Sequence, residues 1–247
     1  YIDDFEAAVT PFYLGAQANQ NWKLASTPKT ADNRFDLSNQ TEDNLGSGFR
    51  RARLAWYNID NIFYRDGGPG VPSNITAQDR RNHYVRRVIP QEIFKNQDRE
   101  VILVPQPLFE LAFFPQERGM YNYNPGLTTA GLLPNPRQNY GGVTRAITTE
   151  VDFDRTNIEY VEFWMMDPFL PGENGKVLDG IFNQNNTTGG KLFLNLGDIS
   201  EDVIKDGSHA FENGLPADGD PAETAANEWG RITRQQFLLP AFDNSAS

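Results

Sequence analysis

Five carboxylates near predicted strand ends are the residues in this sequence best suited to hold a metal ion. Asp3, Asp4 and Glu6 cluster at the start of the chain, near a strand end, and Asp152 and Asp154 lie at the end of the strand predicted at 142–152. Clustered carboxylate oxygens are the ligands that Ca²⁺ prefers, although this spacing is not that of an EF-hand loop. The pattern predicts a structural calcium site with further ligands from elsewhere in the chain. An acidic strand edge that holds no ion is the alternative.

Catalytic chemistry finds little support in the residues. The two histidines, His83 and His209, have no Gly-x-Ser-x-Gly motif to serve, and no phosphate-binding or dinucleotide-binding glycine motif occurs. Glu159 and Glu162 lie three residues apart on a predicted strand and so point to opposite faces. That arrangement does not suit the paired carboxylates of a glycosidase. We therefore expect a protein that is not an enzyme and has no catalytic residues.

Aromatic residues make up 12% of the chain and could form a surface for a peptide or a sugar. Tyr121 and Tyr123 fall in a polar turn sequence that is typical of an exposed loop, and Trp22 is a third candidate. We expect these three side chains to contact a partner or ligand. Core packing is the default alternative for aromatic residues on strands.

Composition excludes several classes of protein. A net charge of −11 argues against nucleic acid or an anionic membrane as a partner. The absence of cysteine removes disulfides and thiolate chemistry. No apolar run reaches the roughly 20 residues that a membrane-spanning helix needs. We expect the basic cluster Arg50, Arg51 and Arg53 to pair with nearby carboxylates. The start at Tyr1 predicts that the chain is a fragment of a longer protein.

Short apolar runs separated by Gly and Pro predict a mainly β fold. The most strand-like run, residues 157–169, is rich in β-branched and aromatic residues and apolar on both faces, which predicts a buried strand. Strands are predicted at 49–63, 83–90, 101–114, 142–152, 157–166, 191–196 and 230–239. Short helices are predicted from Thr76, at 200–207 and at 222–229, and loops at 27–48, 65–75 and 170–190.

Seven segments spread along the chain carry a family resemblance. They are residues 1–6 (YIDDFE), 22–28 (WKLASTP), 51–60 (RARLAWYNID), 114–122 (FPQERGMYN), 157–169 (NIEYVEFWMMDPF), 194–202 (LNLGDISED) and 211–216 (FENGLP). In this order they resemble the SprA (Sov) family of gliding-motility proteins, over nearly the whole chain. The family is the outer-membrane translocon of the type IX secretion system of Bacteroidetes, which folded cargo crosses.

The resemblance implies a non-catalytic, soluble domain that shapes or caps the export path or docks accessory subunits. Its partners would be secreted cargo proteins and translocon subunits. The parent protein would span the outer membrane, and this domain would lie outside the bilayer, on its extracellular or periplasmic side, of which the extracellular side is favoured. The alternative from another class is a cell-surface carbohydrate-binding module.

A second resemblance concerns the fold. The opening residues 3–6 and the run 158–165 resemble galactose-binding-like jelly rolls, which often hold a structural Ca²⁺ beside the opening strand. The stretch between Trp22 and Gly141 is longer than that template allows. We therefore predict a single jelly-roll β-sandwich over residues 1–247, with a large inserted subdomain at about 31–140 and a few short helices.

Overall fold

The structure is a computed structural model, and it describes part of the chain. The described residues are 21–27, 45–96, 104–148, 152–153, 158–178, 183–187, 189–197, 199, 203, 221–227 and 230–234. Four of the predicted calcium ligands, Asp3, Asp4, Glu6 and Asp154, lie outside these residues. So does His209, and so does the helix predicted at 200–207, apart from Val203.

The chain forms two compact units, each assembled from segments that are distant in sequence. The first draws its described residues from Tyr57–Glu110 and Ile147–Leu192. The second draws them from Gln20–Trp56, Leu111–Ala146 and Phe193–Ser247.

Four small two-stranded sheets carry the regular structure of the described residues. Their strands pair β1 with β4, β2 with β3, β5 with β6 and β7 with β8. The strands are β1 Lys23–Leu24, β2 Ala52–Tyr57, β3 Glu110–Arg118, β4 Val143–Thr144, β5 Lys176–Leu178, β6 Asn183–Asn185, β7 Thr224–Asn227 and β8 Gly230–Thr233. The antiparallel registers place Lys23 opposite Thr144, Lys176 opposite Asn185 and Thr224 opposite Thr233. The prediction of a mainly β fold is confirmed to this extent: the described residues form small sheets and little helix.

Helices are short in the described residues. The two α-helices are α1, Ala77–Arg81, and α2, Pro90–Ile93, and neither has the length and apolar character needed to cross a membrane. Single 3₁₀ turns occupy Leu45–Gly48, Asn61–Tyr64, Pro136–Gln138, Glu173–Gly175 and Pro221–Glu223. Helix α1 confirms the prediction at Thr76, because the Thr76 hydroxyl accepts from the Asp79 amide and the Asp79 carboxylate accepts from the Thr76 amide.

Several predicted elements are wrong. Residues 83–85 form a turn, residues 86–89 have no regular structure, and Pro90 begins α2. The Asn82 side chain accepts from the Tyr84 amide, and such a local bond competes with a strand. Asn82 Nδ2 also donates to the Lys176 carbonyl. The helix predicted at 222–229 is replaced by a 3₁₀ turn and β7, since so short a run cannot nucleate a helix without support. The loop predicted at 170–190 contains the β5–β6 hairpin.

The predictions of strands at 157–166 and 191–196 are also wrong for the residues of these runs that are described. Neither residues 158–166 nor residues 191–196 form a strand, and most of their large apolar side chains are exposed. A strand needs a neighbour for its backbone groups, and no described strand pairs with these runs. The segment predicted as a buried strand is therefore exposed at most of its described residues and pairs with no described strand.

Burial in the described residues is more polar than apolar. The buried hydrophobic side chains are Ala52, Val88, Tyr123 and Leu133. The buried polar ones are Ser26, Thr27, Ser47, Arg51, Asn82, Asn122 and Thr224. Most of these polar residues belong to the second unit, where hydrogen bonds rather than a broad apolar core hold the loops together.

Candidate functional site

A buried polar cluster lies in the second unit around Arg51. The Arg51 side chain is 1% exposed, and its Nη2 donates to the Val203 carbonyl at 3.0 Å. The Tyr140 hydroxyl donates to the Ser47 carbonyl at 2.7 Å and also contacts the Thr27 hydroxyl. Burial raises the pKa of Tyr140, because the phenolate would lose its hydration. The cluster therefore keeps neutral hydroxyls beside one buried cation.

Asn122 closes this cluster from the turn that follows β3. Its Nδ2 donates to the Phe49 carbonyl at 3.1 Å and to the Arg51 carbonyl at 2.5 Å. Its Oδ1 accepts from the Asn124 amide at 2.9 Å, and Asn124 Nδ2 donates to the Phe49 carbonyl at 3.0 Å. These bonds satisfy buried carbonyls and fix the turn against β2, which is a structural task.

The sequence placed three aromatic side chains at an exposed contact surface, and the structure corrects one of them. Tyr123 is 4% exposed and packs with Phe49 and Tyr121, so the expectation that it is exposed is wrong. The turn is buried because Asn122 supplies the polar contacts that water would otherwise make. Tyr121 and Trp22 are partly exposed, and their contact with a partner stays a prediction.

Among the predicted calcium ligands, only Asp152 is described, and its side chain is exposed. Within the described part of the chain, no three residues of metal-ligating type come together. The calcium site therefore stays a prediction that depends on carboxylates outside the described residues.

A half-buried carboxylate, Glu110, begins β3 and has two phenols in its electrostatic surroundings. Burial raises the pKa of Glu110. Burial and then the Glu110 charge raise the pKa of Tyr57 and raise that of Tyr64 to about 12. The Arg87 guanidinium lies 4.5 Å from the centroid of the Tyr64 ring. Burial and the Glu110 charge favour the protonated phenols, whereas the Arg87 guanidinium lowers the pKa of Tyr64 without outweighing them.

Glu110 and Glu117 cannot act together on one glycosidic bond. They are the first and eighth residues of β3, which separates them by about 23 Å along an extended strand. Glycosidase carboxylates lie within about 10 Å of each other. Glu117 is instead paired with Arg53 at 2.6 Å, which confirms the expected ion pairing for that member of the basic cluster.

The most unusual surface of the first unit is the segment from Ile158 to Met166. Tyr160, Trp164 and Met165 are 76%, 73% and 66% exposed, and Val161 and Phe163 are exposed as well. The Trp164 ring meets Phe94 edge-to-face, with ring centroids 6.3 Å apart. Contiguous apolar surface of this kind marks an interaction site more often than a lone exposed leucine does.

Both ends of this segment are held by the first unit. At one end the Ile158 amide donates to the Phe153 carbonyl at 2.9 Å. At the other end, just past Met166, the Tyr84 hydroxyl donates to the Pro168 carbonyl at 2.7 Å. His83 Nε2 lies 2.5 Å from the carbonyl oxygen of Asp167. Hydrogen bonds to the first unit therefore hold the segment at both ends.

Sequence reasoning found this segment but assigned it to the interior. Its strand-like pattern was visible, yet apolarity on both faces does not distinguish a strand covered by its own chain from one covered by another. The buried role of Arg51 was missed, because a basic cluster in a polar stretch is usually solvated.

No protein-family model matches the chain, and neither does any curated protein sequence.

Proposed function

We propose that this chain is a non-catalytic part of the outer-membrane translocon of the type IX secretion system. It would shape or cap the export path for secreted cargo proteins, or dock accessory subunits, on the extracellular side. The proposal includes the finer fold, a jelly-roll sandwich with an insertion at about 31–140. Seven long segments that resemble the SprA (Sov) family in order support this assignment.

One structural observation supports the proposal more than any other. The apolar segment 158–166, which lies within the longest of those seven motifs, is exposed in the chain as described here. An exposed aromatic segment of this length is costly for an independent domain in water. It suits a domain that is covered by other parts of a large assembly.

The test is the sequence of the complete gene product that contains this chain. We expect long tracts of alternating amphipathic strands on both sides, as an outer-membrane translocon requires. A complete product that is a secreted protein of moderate size, without such tracts, would overturn the proposal.

A second candidate function is a cell-surface carbohydrate-binding module, and one observation favours it. Tyr160 and Trp164 are the two most exposed aromatic side chains of the described residues, and exposed rings can stack on sugar faces. Titration of the chain with soluble polysaccharides, followed by tryptophan fluorescence, tests it. A saturable change that Trp164→Ala abolishes would support sugar binding, and no change with any glycan would contradict it.

A further inference from the structure

We propose that residues 158–166 form a docking edge that binds an extended, positively charged polypeptide segment by strand addition. The inference rests on the proposed function, since it gives the chemistry of the partner that a translocon domain would engage at this surface. The backbone, the side chains and the charge of the docking edge each support it.

The backbone of the docking edge is available for pairing. Within the part of the chain that the structure describes, the amides and carbonyls from Glu159 to Met166 form no hydrogen bond with one another or with other backbone groups. In an extended conformation these eight residues would present an edge about 26 Å long. The unpaired edge of a sheet is a template for another strand, and main-chain hydrogen bonds supply the affinity in such complexes. The docking edge belongs to no described sheet, but it offers the same unpaired donors and acceptors.

The side chains of the docking edge would face a partner on both sides of the new strand pair. In an extended conformation Tyr160 and Trp164 share one face, and Val161, Phe163 and Met165 share the other. Cross-strand pairs between aromatic and β-branched residues are among the most favourable. A partner with apolar residues at alternate positions would therefore cover surface that the chain leaves exposed.

Charge selects the partner. The stretch 158–170 contains Glu159, Glu162 and Asp167 and no lysine or arginine, and all three carboxylates are on exposed residues. Opposite charges on paired strands stabilise the pair, and like charges directly opposite destabilise it. A second copy of this chain carries a net charge of −11 and the same acidic edge, so it would be repelled. A strand with lysine or arginine at alternate positions fits, with its charges on the face of either Glu159 or Glu162.

The experiment uses the purified chain and two labelled eight-residue peptides. One alternates lysine with valine, and the other alternates glutamate with valine. We expect the basic peptide to bind at least ten-fold more tightly by fluorescence anisotropy and to slow amide hydrogen exchange across residues 159–166. Equal binding of the two peptides, or binding without protection of these amides, would overturn the proposal. Self-association of the chain through the docking edge would do so too.

Two variants separate charge from backbone pairing. Replacing Glu159 and Glu162 together by Gln should weaken binding of the basic peptide about three- to ten-fold, since exposed ion pairs contribute modestly to affinity. Glu173→Gln, at another exposed glutamate, is the control and should leave binding unchanged. Val161→Pro should abolish strand addition because proline lacks the amide donor, whereas Val161→Thr should preserve it. Unchanged binding in the Val161→Pro variant would overturn the proposal.

Stability measurements make these results interpretable. The Val161 backbone makes no hydrogen bond within the described residues, so the melting temperature should be the same in both Val161 variants. Failure of peptide binding in a chain whose complete gene product is a translocon overturns only the docking edge. Peptide binding in a product without membrane-spanning strands overturns the proposed function and leaves the docking edge standing.

Discussion

Gly119 is the position where a single methyl group should cost the second unit most. It follows β3, and its amide donates to the Arg51 carbonyl at 3.1 Å. A Cβ built on Gly119 would lie 2.7 Å from the Ala52 carbonyl carbon and 3.0 Å from Arg51 O, with Ala52 O closer still. These are backbone atoms of Ala52, the first residue of β2, and of Arg51 just before it, so none of them can rotate away. Gly119→Ala must push the end of β3 from β2.

The cost follows from two terms. Overpacking a tight contact costs about 1–3 kcal/mol. Displacing Gly119 also weakens two hydrogen bonds to the Arg51 carbonyl, one from its own amide and one from Asn122 Nδ2, each with a net contribution of about 1 kcal/mol. We expect Gly119→Ala to lower the free energy of unfolding by about 3 kcal/mol, which moves a urea midpoint by about 1.5 M for a slope near 2 kcal/mol/M.

The assay is urea unfolding followed by tryptophan fluorescence and circular dichroism. Gly190→Ala is the matched control, because no heavy atom lies within 4 Å of a Cβ at Gly190 and its φ is not left-handed. That control should be neutral or slightly stabilising, by up to about 1 kcal/mol. If Gly119→Ala unfolds at the same urea concentration as Gly190→Ala, then β2 and β3 do not approach each other as described.

Three further predictions follow from the hydrogen bonds, the titration behaviour and the acidic residues. Asn122→Ala should lower the free energy of unfolding by about 2–3 kcal/mol, because two carbonyls and one amide lose a hydrogen-bond partner. The control Asn61→Ala, at an exposed site, should lower it by under about 1 kcal/mol. Equal urea midpoints for the two variants would contradict this prediction. The pKa of Tyr64 is raised to about 12 from 10.0, so the folded state favours the neutral phenol, and the stability it contributes is present below pH 10 and lost as the pH rises towards 12. Absorbance at 295 nm during a pH titration should show this late ionisation and Tyr64→Phe should remove it; an identical pH profile of unfolding between pH 10 and 12 in the variant would refute the assignment. Millimolar Ca²⁺ should raise the melting temperature if the acidic opening segment binds it, and Mg²⁺ is the control; an unchanged melting temperature would dismiss the calcium site.

Local chemistry was predictable from the sequence and long-range pairing was not. Helix α1 could be predicted because Thr76 and Asp79 complete their capping box within four residues. The loop at 65–75 was equally local, since Gly67, Gly68 and Gly70 supply its left-handed backbone conformations. In both cases the residues that determine the structure are neighbours in the chain.

The predictions that were wrong depended on contacts between residues that are distant in the chain. The segment 158–166 has the propensity of a strand, but a strand also requires a neighbour, and propensity carries no information about which chain supplies it. Tyr123 was placed at the surface because its turn is polar. Asn122 uses that polarity to bond carbonyls more than seventy residues away in the chain, which buries the turn. Arg51 was expected to pair with a nearby carboxylate, and it instead reaches the Val203 carbonyl from a buried position.

Cargo secretion in the native bacterium tests the central claim most directly. The gene that contains this chain would be deleted, and one type IX cargo protein would be quantified by immunoblot in the culture medium and in the periplasm. The account predicts that cargo disappears from the medium, accumulates in the periplasm and returns to the medium when the intact gene is restored. Cargo in the medium at the wild-type level after deletion would contradict it.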